Sequence, residues 1–210
     1  IVNSGNANTC NSDGVEKAEM MCDIAAKALD VKADDVIVAS TGVIGMQLPM
    51  DRIAAGVEKL ADAKKAGLEA GLMAAEAIMT TDTVSKEVAV SFDIDGVTVT
   101  MGGMCKGSGM IHPNMCTMLG FVTTDAAISK ELLTKALKED VVDTFNMISV
   151  DGDTSTNDTL LVLANGCAGN VEITAEDENY AKFKEALHYV NMTLAKKMAG
   201  DGEGATALFE

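Results

Sequence analysis

Basic residues are scarce in this chain: 16 Lys and Arg stand against 32 Asp and Glu, the formal net charge is -16, and no segment gathers the basic residues into a patch. A surface of that sign repels phosphate backbones and anionic headgroups, which argues against a nucleic-acid or membrane-surface role. Histidine is scarcer still, with two in 210 residues, and the five cysteines (Cys10, Cys22, Cys105, Cys116, Cys167) are odd in number, scattered and never spaced C-x-x-C. Neither a zinc site nor a disulfide framework fits that pattern, and a reducing cytoplasm is the compartment expected. Long apolar runs are also missing. Lys, Asp and Glu interrupt the helix-like patterns, and no basic stretch leads into an apolar run at the start, so neither a spanning helix nor a signal peptide is expected. There is no initiating Met: the chain opens on Ile1-Val2-Asn3 and closes on Ala207-Leu208-Phe209-Glu210 in mid-pattern, which reads as an internal piece of a longer protein.

What the chain does have is apolar content, 48% of its residues, enough for the core of one substantial domain or two small ones. Ile1-Val2-Asn3 reads as a strand entering the polar turn Asn3-Ser4-Gly5-Asn6-Ala7-Asn8. After Asp13-Gly14, the residues Val15, Ala18, Met21, Cys22, Ala25, Ala26 and Leu29 recur at helical spacing, predicting a helix that stops near Asp30. Val36-Ile37-Val38-Ala39 is predicted as a short buried strand delivering the tight loop Ser40-Thr41-Gly42-Val43-Ile44-Gly45. From Met50 to about Met79 the pattern is helical in two pieces, with Gly67 and Gly71 weakening continuity. Lys86 to Thr100 alternates apolar and polar residues about Asp95-Gly96, a hairpin pattern. Met101 to Pro113 reads as Gly-rich and irregular, Met115 to Thr124 as a strand, Ser129 to Thr144 as a helix and Asn146 to Val150 as a strand. Leu160 to Leu163 is again apolar, and Ala175 to about Lys197 forms a last amphipathic helix. Strands and helices therefore mix in an α/β or α+β order, with no repeat or linker.

The most informative segment is Lys106-Gly107-Ser108-Gly109-Met110-Ile111-His112-Pro113-Asn114-Met115-Cys116-Thr117-Met118-Leu119-Gly120-Phe121. A glycine turn holds a lysine, and a threonine then enters an apolar strand. Such a threonine becomes a nucleophile if the peptide bond before it is cut, because its freed α-amino group then serves as base for its own hydroxyl. By residue type alone, Thr117 is more simply a β-branched strand residue. The glycine turn lacks Walker spacing, so it is no phosphate loop. Asp151-Gly152-Asp153-Thr154-Ser155-Thr156-Asn157-Asp158 alternates oxygen ligands as a calcium loop does, but its twelfth position is Val162 rather than a bidentate Glu. It reads as a hydrogen-bonded structural loop. Cys116 has no Cys/His pairing at a recognisable spacing and reads as a small apolar residue.

The run KGSGMIHPNMCTMLGF resembles the signature of the ornithine acetyltransferase (glutamate N-acetyltransferase) family, in which a precursor cleaves itself before the threonine of N-M-A-T-M-L. IVNSGNAN, ASTGVIG, IMTTDT, SVDGDTSTNDT, LANG and DGEGAT follow in that family's order, so the resemblance spans essentially the whole chain. Cys116 stands where the family usually has alanine.

The resemblance implies a four-layer α/β/β/α sandwich of the self-processing type, cut between Cys116 and Thr117. Residues 1–116 would then belong to an α chain and residues 117–210 to a β chain, with a carboxyl-terminal portion of the family absent. It makes Thr117 the nucleophile, Thr41 and Gly42 the oxyanion-hole pair, and Thr80, Lys106, Thr117 and Glu203 substrate-binding residues. Lys106 suits a substrate carboxylate and Glu203 a cationic side chain. Without the resemblance, Thr41-Gly42 is a simple turn, Lys106 a solvated loop lysine, Thr80 a residue at a helix end and Glu203 a loop acid. The implied reaction is ping-pong transfer of acetyl from N-acetylornithine to glutamate in arginine biosynthesis, with no cofactor or metal, acetyl-CoA as an alternative donor, and a heterotetramer of two α and two β chains. The alternatives are a related self-processing aminopeptidase or amidase, or an inactive fragment.

Overall fold

A glycine decides where the first sheet forms. The structure, a computed structural model, describes residues 1–112 and 118–209 and falls into two units, Ile1–Thr80 and Thr81–Glu210. In the first, Val2–Asn6 (β1) pairs in parallel with Ala39–Val43 (β2), Ser4 opposite Thr41 and Gly5 opposite Gly42. Gly42 has φ +124°, and a Cβ there would run into the backbone of Gly5, so a side chain is shut out where the strands approach. The strand expected at Val36–Ala39 is therefore displaced to Ala39–Val43 and takes in Ser40, Thr41 and Gly42, which the sequence suggested were loop. Its register is set by β1, and the polar string from Asn3 to Asn6, expected as a turn, is itself strand. Glycine marked a close backbone contact here rather than a bend.

Gly14–Leu29 (α1) ends as expected at Asp30, whose left-handed backbone (φ 55°) lets its N–H bond Ala26 O. It buries Met21, Ala25 and Ala26 and packs against Met50–Ala63 (α2), which buries Val57. The chain leaves the helical path before Gly67 (φ 124°) and resumes at Leu68–Ala77 (α3), so the predicted break falls at Gly67, while Gly71 lies inside α3.

The second unit is a four-stranded sheet in the order β3-β4-β5-β6. Lys86–Ile94 (β3) and Val97–Lys106 (β4) form the expected hairpin about Asp95-Gly96. Leu119–Thr124 (β5) is antiparallel to β4. Thr159–Ala164 (β6) is parallel to β5 and is reached through the helix Lys130–Asp140 (α4), as a parallel pair requires a crossover. Glu178–Gly200 (α5) lies across β3 and β4. Phe183, Leu187, Val190 and Leu194 from α5 join Val99, Met101, Cys105 and Val122 in one buried cluster. Each such aliphatic or aromatic side chain contributes on the order of 1.5–3 kcal/mol by leaving water. Side chains cap both helices: Ser129 Oγ accepts from Leu132 N at 3.3 Å, and Asp177 Oδ1 from Tyr180 N at 3.1 Å.

Three expectations in this unit are corrected. Met101–Lys106 is regular strand rather than irregular loop, paired with β3 on one side and β5 on the other, and a Cβ on Gly103 would stand 2.9 Å from Val190 Cγ1 and 3.0 Å from Leu194 Cδ1. Glycine there admits α5. The helix predicted to Thr144 ends at Asp140, followed by a 3-10 turn over Val141–Asp143. Asn146–Val150 is not a strand: Phe145–Met147 is a 3-10 turn anchored by the buried Phe145 ring, and Val150 N bonds Ile111 O at 2.9 Å instead of joining the ladder. Among the described residues no helix is long and apolar enough to cross a membrane.

Candidate active site

Lys106 is the last residue of β4 and is 2% exposed. It is not the solvated loop lysine that its residue type alone suggests. The strand places it inside, and the chain turns at once through Gly107 (φ 154°) into Ser108 and Gly109. A buried ammonium needs opposite charge nearby. Asp82 supplies it, with Oδ2 4.0 Å from Lys106 Nζ, too long for a hydrogen bond and close enough for an ion pair. Burial lowers the Lys106 pKa, and Asp82 opposes that shift.

Asp82 has a second role in the same turn. Its Oδ1 accepts the Gly107 N–H at 2.6 Å and a hydrogen bond from Lys86 Nζ at 2.7 Å. Lys86, wholly buried, also reaches Asp201 Oδ2 at 2.5 Å. Asp201 accepts Thr83 N–H at 3.0 Å and the Thr83 hydroxyl. Burial pushes the Asp201 carboxyl upward, but the Lys86 and Thr83 hydrogen bonds outweigh it and leave the pKa lowered. Thr81 and Ser108 hydroxyls meet at 2.6 Å.

Glu203 follows α5 directly, in an exposed turn. Its backbone N–H donates to Ser108 O at 2.6 Å, and its Oε2 occupies the space that a side chain on Gly109 would fill, 2.7 Å from where that Cβ would stand. Lys106 and Glu203, 97 positions apart in the sequence, are thus brought to the same glycine turn.

The Asp151–Asp158 loop is hydrogen-bonded as expected, and its two ends hold defined partners. Asp151 Oδ2 accepts Met110 N–H at 2.5 Å and Oδ1 accepts Ile111 N–H at 3.0 Å, while Asp158 Oδ1 accepts Met118 N–H at 2.9 Å. The backbone repeats the pairing: Val150 N to Ile111 O and Thr159 N to Met118 O. Desolvation tends to raise both carboxyls. The N–H groups of Met110, Asp153 and Ile111 turn the Asp151 pKa downward, whereas Asp158, more buried, stays raised despite Met118, Ser155 and Lys106. The loop therefore fastens both flanks of residues 113–117. Cys116 and Thr117 themselves lie outside the described residues.

In the first unit, Thr41 is buried mid-strand in β2 and Gly42 follows it, next to Gly5 of β1. Thr80 closes that unit beyond the end of α3. A cavity of about 900 Å³ opens in this unit, lined by Asn8, Cys10, Gly14, Cys22 and Val36 among others, and neither Thr41, Gly42 nor Thr80 is part of its lining. Reading from sequence missed Asp82, Lys86 and Asp201. A single carboxylate or lysine in a polar string carries no mark of burial; the only available signal was Lys86 opening an apolar alternation at a position that faces inward. Among the described residues, no group of three or more His, Cys, Asp or Glu is arranged to hold a metal ion.

Comparison with known proteins shows the family. The model of the ArgJ family matches residues 1–210, and the chain belongs to that family. It is 54% identical to arginine biosynthesis bifunctional protein ArgJ 1 of Clostridium acetobutylicum and 56% identical to ArgJ of Symbiobacterium thermophilum, covering 100% of this chain in both and 51% and 52% of those proteins. The chain thus spans about half the length of the curated relatives it matches. Among solved structures, ArgJ of Bacillus halodurans superposes with a TM-score of 0.51 at 46% identity over 55% of this chain and 60% of that one. Ornithine acetyltransferase of Mycobacterium tuberculosis, solved in complex with ornithine, gives a TM-score of 0.50 at 40% identity over 54% and 60%. These likenesses agree with the mixed α/β fold.

Proposed function

We propose that the protein to which this chain contributes is an acetyltransferase that moves acetyl from N-acetylornithine to glutamate in arginine biosynthesis, through an acetyl-threonine at Thr117. The observation that carries this reading is the family match across residues 1–210, which includes the Lys106–Gly109 turn with Glu203 folded onto it. A buried lysine 4.0 Å from its counter-charge suits the α-carboxylate of an amino acid, and an exposed acid on the same turn suits the ammonium at the end of an ornithine side chain. Thr80 is proposed as a further substrate contact.

In this reading the precursor is cut between Cys116 and Thr117, giving an α chain that contains residues 1–116 and a β chain that begins at Thr117. The new α-amino group takes the proton from Thr117 Oγ as that oxygen attacks the acetyl carbonyl, and Thr41 and Gly42 supply donors to the oxyanion. The C–N bond of N-acetylornithine then breaks, ornithine leaves with the proton, and the acetyl ester remains on Thr117. The glutamate amine attacks that ester in a second half-reaction and restores the hydroxyl. Acetyl-CoA is an alternative donor to the same hydroxyl. The mature enzyme is proposed as two α and two β chains in the cytoplasm.

Mass spectrometry of the full-length processed protein tests this. N-acetylornithine without acceptor is expected to add one acetyl mass to the peptide beginning at Thr117, and glutamate to remove it. Release of amino acids from peptides with no acetylated Thr117 would instead favour an aminopeptidase.

A further inference from the structure

The buried cluster behind the glycine turn has a composition that packing alone does not require. Asp82, Lys86 and Lys106 are buried and Asp201 nearly so, and two carboxylates balance two ammonium groups. Burying such groups is costly, and a hydrophobic replacement of similar volume is commonly as stable or more so. Their arrangement therefore points to position rather than strength. Lys86 ties Asp82 to Asp201. Asp82 reaches the Gly107 N–H and Lys106, and Asp201 lies two residues before Glu203. Three distant segments, 82–86, 106–107 and 201–203, are joined through the Lys86 ammonium and the Asp82 carboxylate.

We infer that Asp82, bridged by Lys86 to Asp201, is a positioning residue that holds Lys106 and Glu203 at a fixed separation and presents the Lys106 ammonium to a substrate carboxylate. This rests on the reading of Lys106 and Glu203 given above. The division of contacts supports it. Asp82 spends its short hydrogen bonds on Lys86 and on the Gly107 N–H, and stands 4.0 Å from Lys106. An ammonium held at that distance keeps its donors for an incoming carboxylate, whereas a close pair would satisfy it internally. The charged and titratable groups facing Lys106 are Asp82 and Asp158, which favour its protonated form, with Lys86, which opposes it, and the neighbouring Cys105 thiol, which burial pushes up to about 12. Asp82 is the strongest of the favourable influences.

The test uses full-length processed protein and steady-state acetyl transfer from N-acetylornithine to glutamate. Asp82→Asn keeps the shape and an acceptor for Gly107 but removes the charge. It is expected to raise KM for N-acetylornithine about tenfold with kcat changed by less than about threefold, the split that marks loss of binding shared by ground and transition states. The alkaline limb of kcat/KM is expected to move to lower pH, since Lys106 loses its main counter-charge and deprotonates sooner. A purely structural role would move thermal stability and leave that limb in place. If Asp82→Asn does not fold, Thr83→Val at an exposed position removes only the hydroxyl on Asp201, and a KM raised about two- to fivefold is expected. An unchanged KM and alkaline limb in folded Asp82→Asn, or an unchanged KM in Thr83→Val where Asp82→Asn fails to fold, overturns the inference while leaving the acetyltransferase reading intact. A wild-type protein that transfers no acetyl overturns that reading, and the inference with it.

Discussion

At the residue scale, Lys106 and Thr41 are expected to fail differently when truncated. Lys106 is a buried charge proposed to meet a carboxylate present in substrate and transition state alike, so Lys106→Ala should raise KM more than it lowers kcat. Thr41 is proposed as a donor to an oxygen that becomes negative only during attack, so Thr41→Ala should lower kcat with KM little changed. Loss of one such donor costs roughly 2.7–4 kcal/mol in other enzymes. Steady-state kinetics on the full-length protein separate the two patterns, and a pure KM effect at Thr41 would remove it from the oxyanion role. The pH dependence follows from the lowered Lys106 pKa: the binding contribution is present at pH values below that pKa and lost as pH rises through it. A KM for N-acetylornithine that stays flat across the alkaline range would contradict this.

At the scale of elements, the same residue type misled in two places for the same reason. Gly42 and Gly103 were read as signs of loop, yet both lie in strands where another backbone or helix comes too close for a Cβ. Sequence carries periodicity and turn residues along one element, which is why α1 and the β3–β4 hairpin are legible from the apolar pattern and Asp95-Gly96, and the break before α3 from Gly67. It does not carry what approaches from elsewhere, which is why the observed β2 begins at Ala39 rather than Val36, β4 runs on to Lys106 and the strand expected over Asn146–Val150 is absent. The site divides similarly. Lys106 and Glu203 are singled out by their motifs and meet at one glycine turn, whereas Asp82, Lys86 and Asp201 gain meaning only when three segments meet. The glycine explanation can be checked directly. Gly103→Val would drive a branched side chain into Val190 and Leu194, and overpacking of this kind typically costs about 1–3 kcal/mol. Urea unfolding of the full-length protein should show a lowered midpoint, and an unchanged midpoint would mean that α5 shifts freely over β4.

At the scale of the whole molecule, the proposed cut falls in sequence between β4 and β5 rather than at the boundary between Thr80 and Thr81 that divides the two units. Residues 1–116 would keep β3 and β4, and residues 117–210 would keep β5, β6, α4 and α5. The two products would then share a ladder running from Met101 opposite Thr124 to Lys106 opposite Leu119, with α5 of one chain lying over β3 and β4 of the other. Val99, Met101 and Cys105 from one side and Val122, Phe183, Leu187 and Leu194 from the other form one buried cluster, so separating the chains would expose the core. Cleavage should therefore change connectivity without releasing either chain. Full-length protein is expected to run as one species in native size-exclusion chromatography and as two chains in denaturant, the second beginning with Thr117. Thr117→Ala, lacking the hydroxyl needed for the acyl shift, should remain a single chain. Once cut, refolding becomes an association of two chains, so the apparent unfolding midpoint of the processed protein should rise with protein concentration while that of Thr117→Ala does not. Native release of a free α chain would show that the shared sheet does not hold the two products together, and a cleaved Thr117→Ala protein would remove Thr117 from the processing step.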